Sequence, residues 1–396
     1  MKINVAVFFG GRSVEHEISV ISALQAINAF DKTKYEVVPV YISKEGRWYT
    51  GKSLLDIENF KDLKSLLEGV EEVYMRPEYG DYNLYRVNEK KGFLSKGKPL
   101  VCEIHAALPV LHGSHGEDGM FEGILESIGI PYAGCDTLSS ANGMDKITMK
   151  MILRSNDIPV VDYVWFTEKQ WHRDQKELIE KIENTLGFPV IVKPANLGSS
   201  VGIAKASNKE ELIEKINNAS KFSNRLIVEK MIEDMMEINC SVLGDCDDYS
   251  TSVCEEPVSK GDFLSYEEKY GSGAKAGMQS AEKNIPADIP EVLSDKIRFL
   301  AGETFRVLSC QGVSRVDVMV NKKDNKIYVN EINTIPGSLS FYLWEETGIS
   351  FPELIDKLMG LAFKRKRETD RKTFSYDTNI FAMGGGLKGK AGAKLK

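Results

Sequence analysis

The run Phe188-Pro-Val-Ile-Val-Lys193-Pro-Ala-Asn-Leu-Gly198-Ser199-Ser200-Val201-Gly202 constrains this chain more than any other stretch. An apolar strand delivers Lys193, a Gly-Ser-Ser loop follows, and a second apolar run extends from Val201 to Ala206. Backbone N–H groups and hydroxyls in such a loop can wrap phosphate oxygens, with Lys193 as the fixed positive charge. The pattern is not the Walker sequence, in which Gly-Lys-Ser/Thr opens a helix. Here Ser207-x-x-Glu210 reads as a capping box, so the helix starts only after the second strand. On this segment alone, an ordinary Gly/Ser hairpin loop competes with a phosphate cradle.

A second pattern decides between them. Gly312 to Val320 and Lys326 to Asn333 read as strands joined by the polar turn Asn321-Lys-Lys-Asp-Asn, and so as an antiparallel hairpin. Alternation places Arg315 and Asp317 on one face, and Glu331 with Asn333 likewise, while Val316, Val318, Val320 and Ile332 take the other. A register that sets Asp317 against Glu331 also sets Arg315 against Asn333. Two carboxylates and an amide then crowd one patch without a matching set of cations, which calls for a neutralising ion. Hard oxygen ligands suit Mg2+, which completes its shell with water and nucleotide phosphates. A solvated sheet face with one Arg–Asp pair is the blander alternative. Cradle and metal patch together point to an enzyme that uses ATP.

At 396 residues, with 42% hydrophobic and 28% charged, the chain can bury the cores of two or three domains. It has no run of eighteen apolar residues, and its opening strand is too short for a signal segment, so a soluble, cytoplasmic protein without a membrane partner is expected. The six cysteines show no Cys-x-x-Cys and sit mostly in apolar runs, as reduced core thiols do. A net charge of -7 argues against nucleic acid as a partner. The charge is uneven: from Lys364 onward ten Lys/Arg face three Asp/Glu, and the Gly-rich end reads as a flexible basic extension without a catalytic role.

An α/β organisation follows. Residues 1–135 alternate strand-like runs (Ile3 to Phe9, Val37 to Ile42, Ala106 to Leu111) with helical stretches such as Ile18 to Ala29, the signature of a parallel sheet. Within them, residues from about 44 to 100 read as an excursion beyond that sheet rather than a separate domain. Residues 136–230 hold the cradle. Residues 231–366 hold the metal hairpin and close with a helix from Pro352 that lines up Leu354, Leu358 and Leu361, and 367–396 form the tail. Two loops at strand ends add candidate ligand contacts: Gly10-Gly11-Arg12-Ser13-Val14-Glu15, which opens a helix, and His112-Gly113-Ser114-His115-Gly116-Glu117-Asp118-Gly119. The first lacks a full Gly-x-Gly-x-x-Gly, which disfavours a dinucleotide site.

These segments, with Asp145-Lys146, Glu229-Lys230, Lys269-Tyr270, Arg315-x-Asp317 and Asn330-Glu331-x-Asn333-Thr334-x-Pro336-Gly337, resemble in order the D-alanine:D-alanine ligases of the ATP-grasp superfamily, over about residues 3 to 362. The resemblance implies an N-terminal Rossmann-like domain, a small central domain and a C-terminal antiparallel-sheet domain. It further implies ATP bound between the last two, two Mg2+ ions replaceable by Mn2+, and a homodimer. The implied reaction makes D-alanyl-D-alanine for peptidoglycan through an acyl phosphate.

By the same resemblance Glu15, with Ser199 and Tyr270, holds the first substrate's ammonium, and His112 lies near its carboxylate. Arg315 and the Gly337 N–H stabilise the oxyanion. Lys146, Lys193 and Ser200 meet phosphates, while Glu229, Lys230 and Glu237 match the adenosine-contacting stretch. Asp317, Glu331 and Asn333 match the metal ligands.

The chain departs from the family pattern at Gly337-Ser-Leu-Ser-Phe-Tyr-Leu-Trp344, shorter and more aromatic than the family's second-substrate stretch, where Ser338 and Ser340 could supply replacement hydroxyls. Retention of Lys269-Tyr270, before the Gly/Ala-rich Gly271 to Gly277 lid, favours an amine over a hydroxyl acceptor. Two further readings stand beside dipeptide synthesis: a ligase with a different second amino acid, and a catalytically silent nucleotide-binding regulator. The intact Arg315, Asp317, Glu331 and Asn333 set argues against the last.

Overall fold

The computed structural model describes residues 2–87, 100–198, 201–257 and 283–378, and among them the strands gather into three sheets. The first is built on β1 (Ile3–Gly10), β2 (Tyr35–Ile42) and β7 (Ala106–Val110), with β1 pairing in parallel to both neighbours. Val5 to Phe9 are fully buried, because helices cover both faces of a parallel core and demand continuous apolar runs. The stretch expected as an excursion instead continues the sheet. β3 (Trp48–Thr50), β4 (Glu71–Met75), β5 (Asn83–Arg86) and β6 (Leu100–Glu103) add an antiparallel meander, giving the order β6-β5-β4-β3-β2-β1-β7. The sheet is therefore mixed. Its added strands are three to five residues long and only partly covered, as in β4 where Val73 and Met75 are buried and Tyr74 is exposed, so polar residues mask their period.

The second sheet has the antiparallel order β10-β9-β11-β8, from β8 (Tyr163–Thr167), β9 (Val190–Pro194), β10 (Ala204–Ala206) and β11 (Arg225–Lys230). Val190, Val192, Leu226 and Val228 pack one face against the helices Glu168–Leu186 and Lys209–Ala219. Alternation sends Lys193, Ile227 and Glu229 to the other face. β9, loop and β10 form the expected strand-loop-strand unit. The cap of the following helix lies one residue beyond the expected Ser207: Asn208 accepts from the Glu211 N–H at 2.9 Å, and Glu211 accepts from the Ser207 N–H at 2.8 Å. Neighbouring Ser-Asn and Glu-Glu pairs offer the same chemistry in two registers, and an Asn in extended conformation takes the cap.

The third sheet runs β14-β13-β12-β15-β16, from β12 (Met235–Gly244), β13 (Tyr249–Pro257), β14 (Lys283–Asn284), β15 (Gly312–Asn321) and β16 (Ile327–Asn333). Val316, Val318, Val320 and Ile332 pack against the helix Glu291–Val307 and against Met149 and Leu153 of the helix Lys146–Ser155. β15 and β16 adopt the expected register, Asp317 opposite Glu331 and Arg315 opposite Asn333, with a bulge just beyond Asp317. The row continues inward, since Asn239 pairs with Asp317 and Glu255 with Asn239, so four polar residues cross one face of the sheet. The helix Phe351–Thr369 follows the third sheet in sequence but buries Leu354 and Leu358 in the core of the first.

Of the six cysteines, all free thiols, Cys135, Cys240, Cys254 and Cys310 are buried, Cys102 is partly so and Cys246 is exposed. Among the described residues, no helix is long and apolar enough to cross a membrane.

Trp344 ties these bodies together: it is fully buried in the first core, and its indole N–H donates to Ser241 Oγ of β12 at 3.0 Å. Trp344→Ala is expected to destabilise by about 3–5 kcal/mol, read as a lower urea midpoint with an unchanged slope.

Candidate functional site

Between the second and third sheets lies a cleft lined by charge. Lys193 points from β9 toward Glu229 of β11, with Nζ 2.7 Å from Oε2, and donates to Asn330 Oδ1 across the cleft at 3.1 Å. Lys146 and Lys150, one turn apart on the helix Lys146–Ser155, reach in from a third direction. Lys146 Nζ pairs with Glu331 Oε2 at 3.0 Å and donates to the Leu197 carbonyl at 2.9 Å, beside the Gly-Ser-Ser loop. Lys150 Nζ lies 3.1 Å from Glu229 Oε1. Burial alone would favour a neutral Glu229, but the Lys150 and Lys193 ammonium groups outweigh it and hold the carboxyl down to about 2.

On β15 the Arg315 guanidinium grips Asp317 in a two-bond fork, Nε to Oδ1 at 2.7 Å and Nη2 to Oδ2 at 2.8 Å. Asn333 Nδ2 donates to Asp317 Oδ2 at 3.0 Å, which leaves its own carbonyl oxygen for another partner. The expectation that these carboxylates lack cations is corrected here. Asp317 is matched by Arg315 and Glu331 by Lys146, because the lysine arrives from a helix distant in sequence. Repulsion therefore does not argue for a metal. Among the described residues no cluster of three His, Cys, Asp or Glu side chains forms a metal centre.

The first sheet contributes the loops that close the cleft. Glu15 is buried at the start of the helix His16–Ala29, so close to two glycines that a Cβ on Gly113 would stand 2.4 Å from Glu15 Oε2 and one on Gly198 3.0 Å. The carboxylate thus faces Gly198. A cavity of about 30 Å3 sits here, among Glu15, Glu117, Lys146, Gly198, Glu331 and Asn333.

His112 is buried and committed on both ring nitrogens. Nδ1 donates to the Ile335 carbonyl and Nε2 accepts from Ser22 Oγ, both at 2.9 Å. Burial lowers its pKa to about 4, so the ring is neutral. Glu117 braces the same junction, accepting from the Gly113 N–H at 2.8 Å and from the Ile335 N–H at 3.3 Å. Burial first, then the nearby Glu15, pushes its carboxyl up to about 8.

The segment after Pro336 folds into a turn, Gly337–Ser340, whose residues Ser338, Leu339 and Ser340 all have positive φ, a left-handed backbone that strains non-glycine residues. Ser338 donates from its N–H to Ser22 Oγ at 2.9 Å and from its hydroxyl to Gln25 Oε1 at 2.5 Å. Ser340 is fully buried, and its hydroxyl has no partner among the described residues.

The structure thus brings together Glu15, Lys146, Lys193, Glu229, Arg315, Asp317, Glu331 and Asn333, with Gly337, Ser338, Ser340 and His112 at the junction beside them. Glu237 lies on the same sheet face as Asp317, farther along β12, whereas alternation turns the Lys230 side chain away from the face of Glu229. Ser199, Ser200, Lys269, Tyr270 and the Gly271 to Gly277 lid fall outside the described residues, as does the tail from residue 379. Sequence reading missed Lys150 and Ser22, and singled out the loop that carries Glu117 without giving that residue a role. Lys150 left a signal in its four-residue spacing from Lys146.

His112→Ala is expected to destabilise the protein by about 2–3 kcal/mol, from two lost buried hydrogen bonds and a small void. A ring held neutral adds stability that is present above its unfolded pKa of 6.5 and is lost as pH falls toward 4. The variant should therefore lose stability less steeply than the parent between those pH values, measured by thermal unfolding.

Comparison with known proteins fits this geometry. Residues 4–135 match the family model for the D-ala D-ala ligase N-terminus and residues 152–360 that for the D-ala D-ala ligase C-terminus. The D-alanine–D-alanine ligase of Thermosipho melanesiensis is 41% identical over 381 residues, covering 96% of this chain and 99% of the relative. That of Natranaerobius thermophilus is 40% identical over 379 residues, covering 95% and 99%. Among solved structures, the VanG D-Ala:D-Ser ligase from Enterococcus faecalis superposes with a TM-score of 0.77 at 30% identity, over 91% of this chain and 100% of that one. The Bacillus anthracis D-alanine–D-alanine ligase complexed with ATP gives 0.64 at 26%, over 93% and 99%. The fold is ATP-grasp, and the chain belongs to the D-alanine–D-alanine ligase family.

Proposed function

We propose that this protein joins two D-alanine molecules at the expense of ATP, giving D-alanyl-D-alanine, ADP and phosphate for peptidoglycan precursors, in the cytoplasm and as a homodimer. The carrying observation is the convergence of Lys146, Lys193 and Arg315 with the oxygens of Asp317, Glu331 and Asn333 on one cleft whose mouth holds Glu15. In this reading a carboxylate oxygen of the first D-alanine attacks the γ-phosphorus, and the bond to the ADP oxygen breaks. The amine of the second D-alanine then attacks the acyl carbon, and phosphate leaves. Charge spreads over the transferring phosphoryl oxygens, so fixed cations rather than covalent partners do the stabilising. Lys146 and Lys193 supply them at the loop. Arg315, kept charged by Asp317 despite its burial, faces the developing oxyanion with the Gly337 N–H. Glu15 pairs with the first ammonium together with Ser199 and Tyr270, and His112 fixes the loop at Ile335 from beneath. Glu229, Lys230 and Glu237 hold the adenosine, and Ser200 adds a phosphate contact.

The residues present fit Mg2+. Asp317 and Glu331 are hard donors, Asn333 keeps a free carbonyl oxygen, and Asn239, opposite Asp317 on the same face, has a buried Oδ1 without a partner among the described residues. When bound, the two ions would offset phosphate charge. Glu331→Gln should lower turnover at least about a hundredfold, weaken Mn2+ binding in the nucleotide complex and leave the circular dichroism unchanged. Near-normal turnover would remove Glu331 from this role.

A second reading, a different acceptor amino acid, is supported by Tyr342. This residue of the shortened stretch is half-buried and bonds through its hydroxyl to Glu255 Oε2 at 3.0 Å, with Lys283 4.2 Å over its ring. Phosphate release with D- and L-amino acids, singly and in pairs, separates the two. Strong turnover on D-alanine alone is expected, and turnover only with a mixed pair would select the second reading.

A further inference from the structure

Lys150 has no solvent-exposed surface, yet nothing in the chemistry above uses it. Its Nζ lies 3.1 Å from Glu229 Oε1, an ion pair whose alignment makes no hydrogen bond, while Glu229 Oε2 meets Lys193 Nζ at 2.7 Å. Two ammonium groups thus share one buried carboxylate, and the cluster keeps one positive charge in excess. Lys146 and Glu331 cancel each other alongside, and Asn330, the partner of Lys193 across the cleft, is neutral. An unbalanced buried charge is costly unless a ligand of opposite sign completes it. The excess sits where Lys193 reaches Asn330 across the cleft, and an anion there would do so. Were Lys150 neutral, Glu229 and Lys193 would close into a balanced pair, and the cradle lysine would offer an incoming phosphate no net charge.

We propose that Lys150 is a positioning residue for nucleotide phosphates: by occupying one oxygen of Glu229 it prevents that carboxylate from neutralising Lys193. This rests on the reading of Lys193 as the phosphate-binding lysine. Lys150 itself reaches no ligand, because it is walled off by Glu229 and its own helix. Its influence is electrostatic and acts through the carboxylate.

Isothermal titration of the whole protein with MgATP and, separately, with adenosine tests this. Lys150→Met is expected to weaken MgATP binding on the order of tenfold to a hundredfold, with adenosine affinity unchanged within about twofold. Because Glu229 also belongs to the adenosine stretch, E229Q alone is the reference for the double variant K150M/E229Q: with no carboxylate left to be held, adding K150M should cost little further MgATP affinity. Kinetically, the KM for ATP should rise in K150M while those for the amino acids hold. Unchanged MgATP affinity in K150M would overturn the proposal, as would equal losses for MgATP and adenosine. Should K150M fail to fold, E229Q is compared with K150M/E229Q. Removing Lys150 there should change MgATP affinity by less than about threefold, since no carboxylate remains to be held, and a tenfold difference would overturn the proposal. A parent protein that binds no MgATP would overturn the nucleotide reading itself rather than this refinement of it.

Discussion

Polar pairing of buried lysines across the cleft is the interaction on which the rest of this structure depends. Lys193 leaves the second sheet to meet Asn330 of the third, and Lys146 leaves its helix to meet Glu331 two strands from the sheet centre. These groups are buried or nearly so, and breaking one buried pair costs about 3–5 kcal/mol because the survivor keeps its charge without water. Polar contacts thus line the cleft, while Ile147, Ala195 and Ile227 pack in an apolar cluster beside it. That suits a cleft that must admit a polyanion, since an apolar seam would exclude it.

The same logic explains why the first sheet grips the third so specifically. A neutral histidine, a serine hydroxyl and a carboxyl with a raised pKa each satisfy backbone groups around Ile335, so the strained turn Ser338–Ser340 is held from below. Strain of this kind persists only where surroundings over-determine it. Here Ser22 and Gln25 hold Ser338 at one end, while Trp344 anchors the far end in the core. The helix Phe351–Thr369 then seals the arrangement by returning to the first sheet, which makes the ends of the chain structurally interdependent.

Pairing also changes what the polar face says about ions. Carboxylates that appear unmatched in sequence are matched in space, so the case for Mg2+ rests on leftover oxygen donors and not on repulsion. A charged site poised in this way, with Asp317 and Glu331 each offset and two lysines on Glu229, is preorganised for a negatively charged ligand.

The sequence alone determined the local objects. Period-two alternation set which side chains of the two strands share a face, and pairing Asp317 with Glu331 set the register from Arg315 to Asp317, because a one-residue slip would bury charge among Val316 and Ile332, while the bulge beyond Asp317 was not legible. The apolar strand carrying Lys193 and the buried strands of the first sheet showed themselves as unbroken apolar runs. Short half-covered strands between 48 and 103 did not, since three to five residues give too few alternations to read. Which helix cap wins between Ser207 and Asn208 was likewise undecided by composition. Only the tertiary structure decided the partners: Lys150 with Glu229, Lys146 with Glu331, and His112 with Ile335 and Ser22 lie 79, 185, 223 and 90 residues apart. Charge type and spacing are written locally, but which charge meets which depends on how three sheets pack, and no local pattern encodes that.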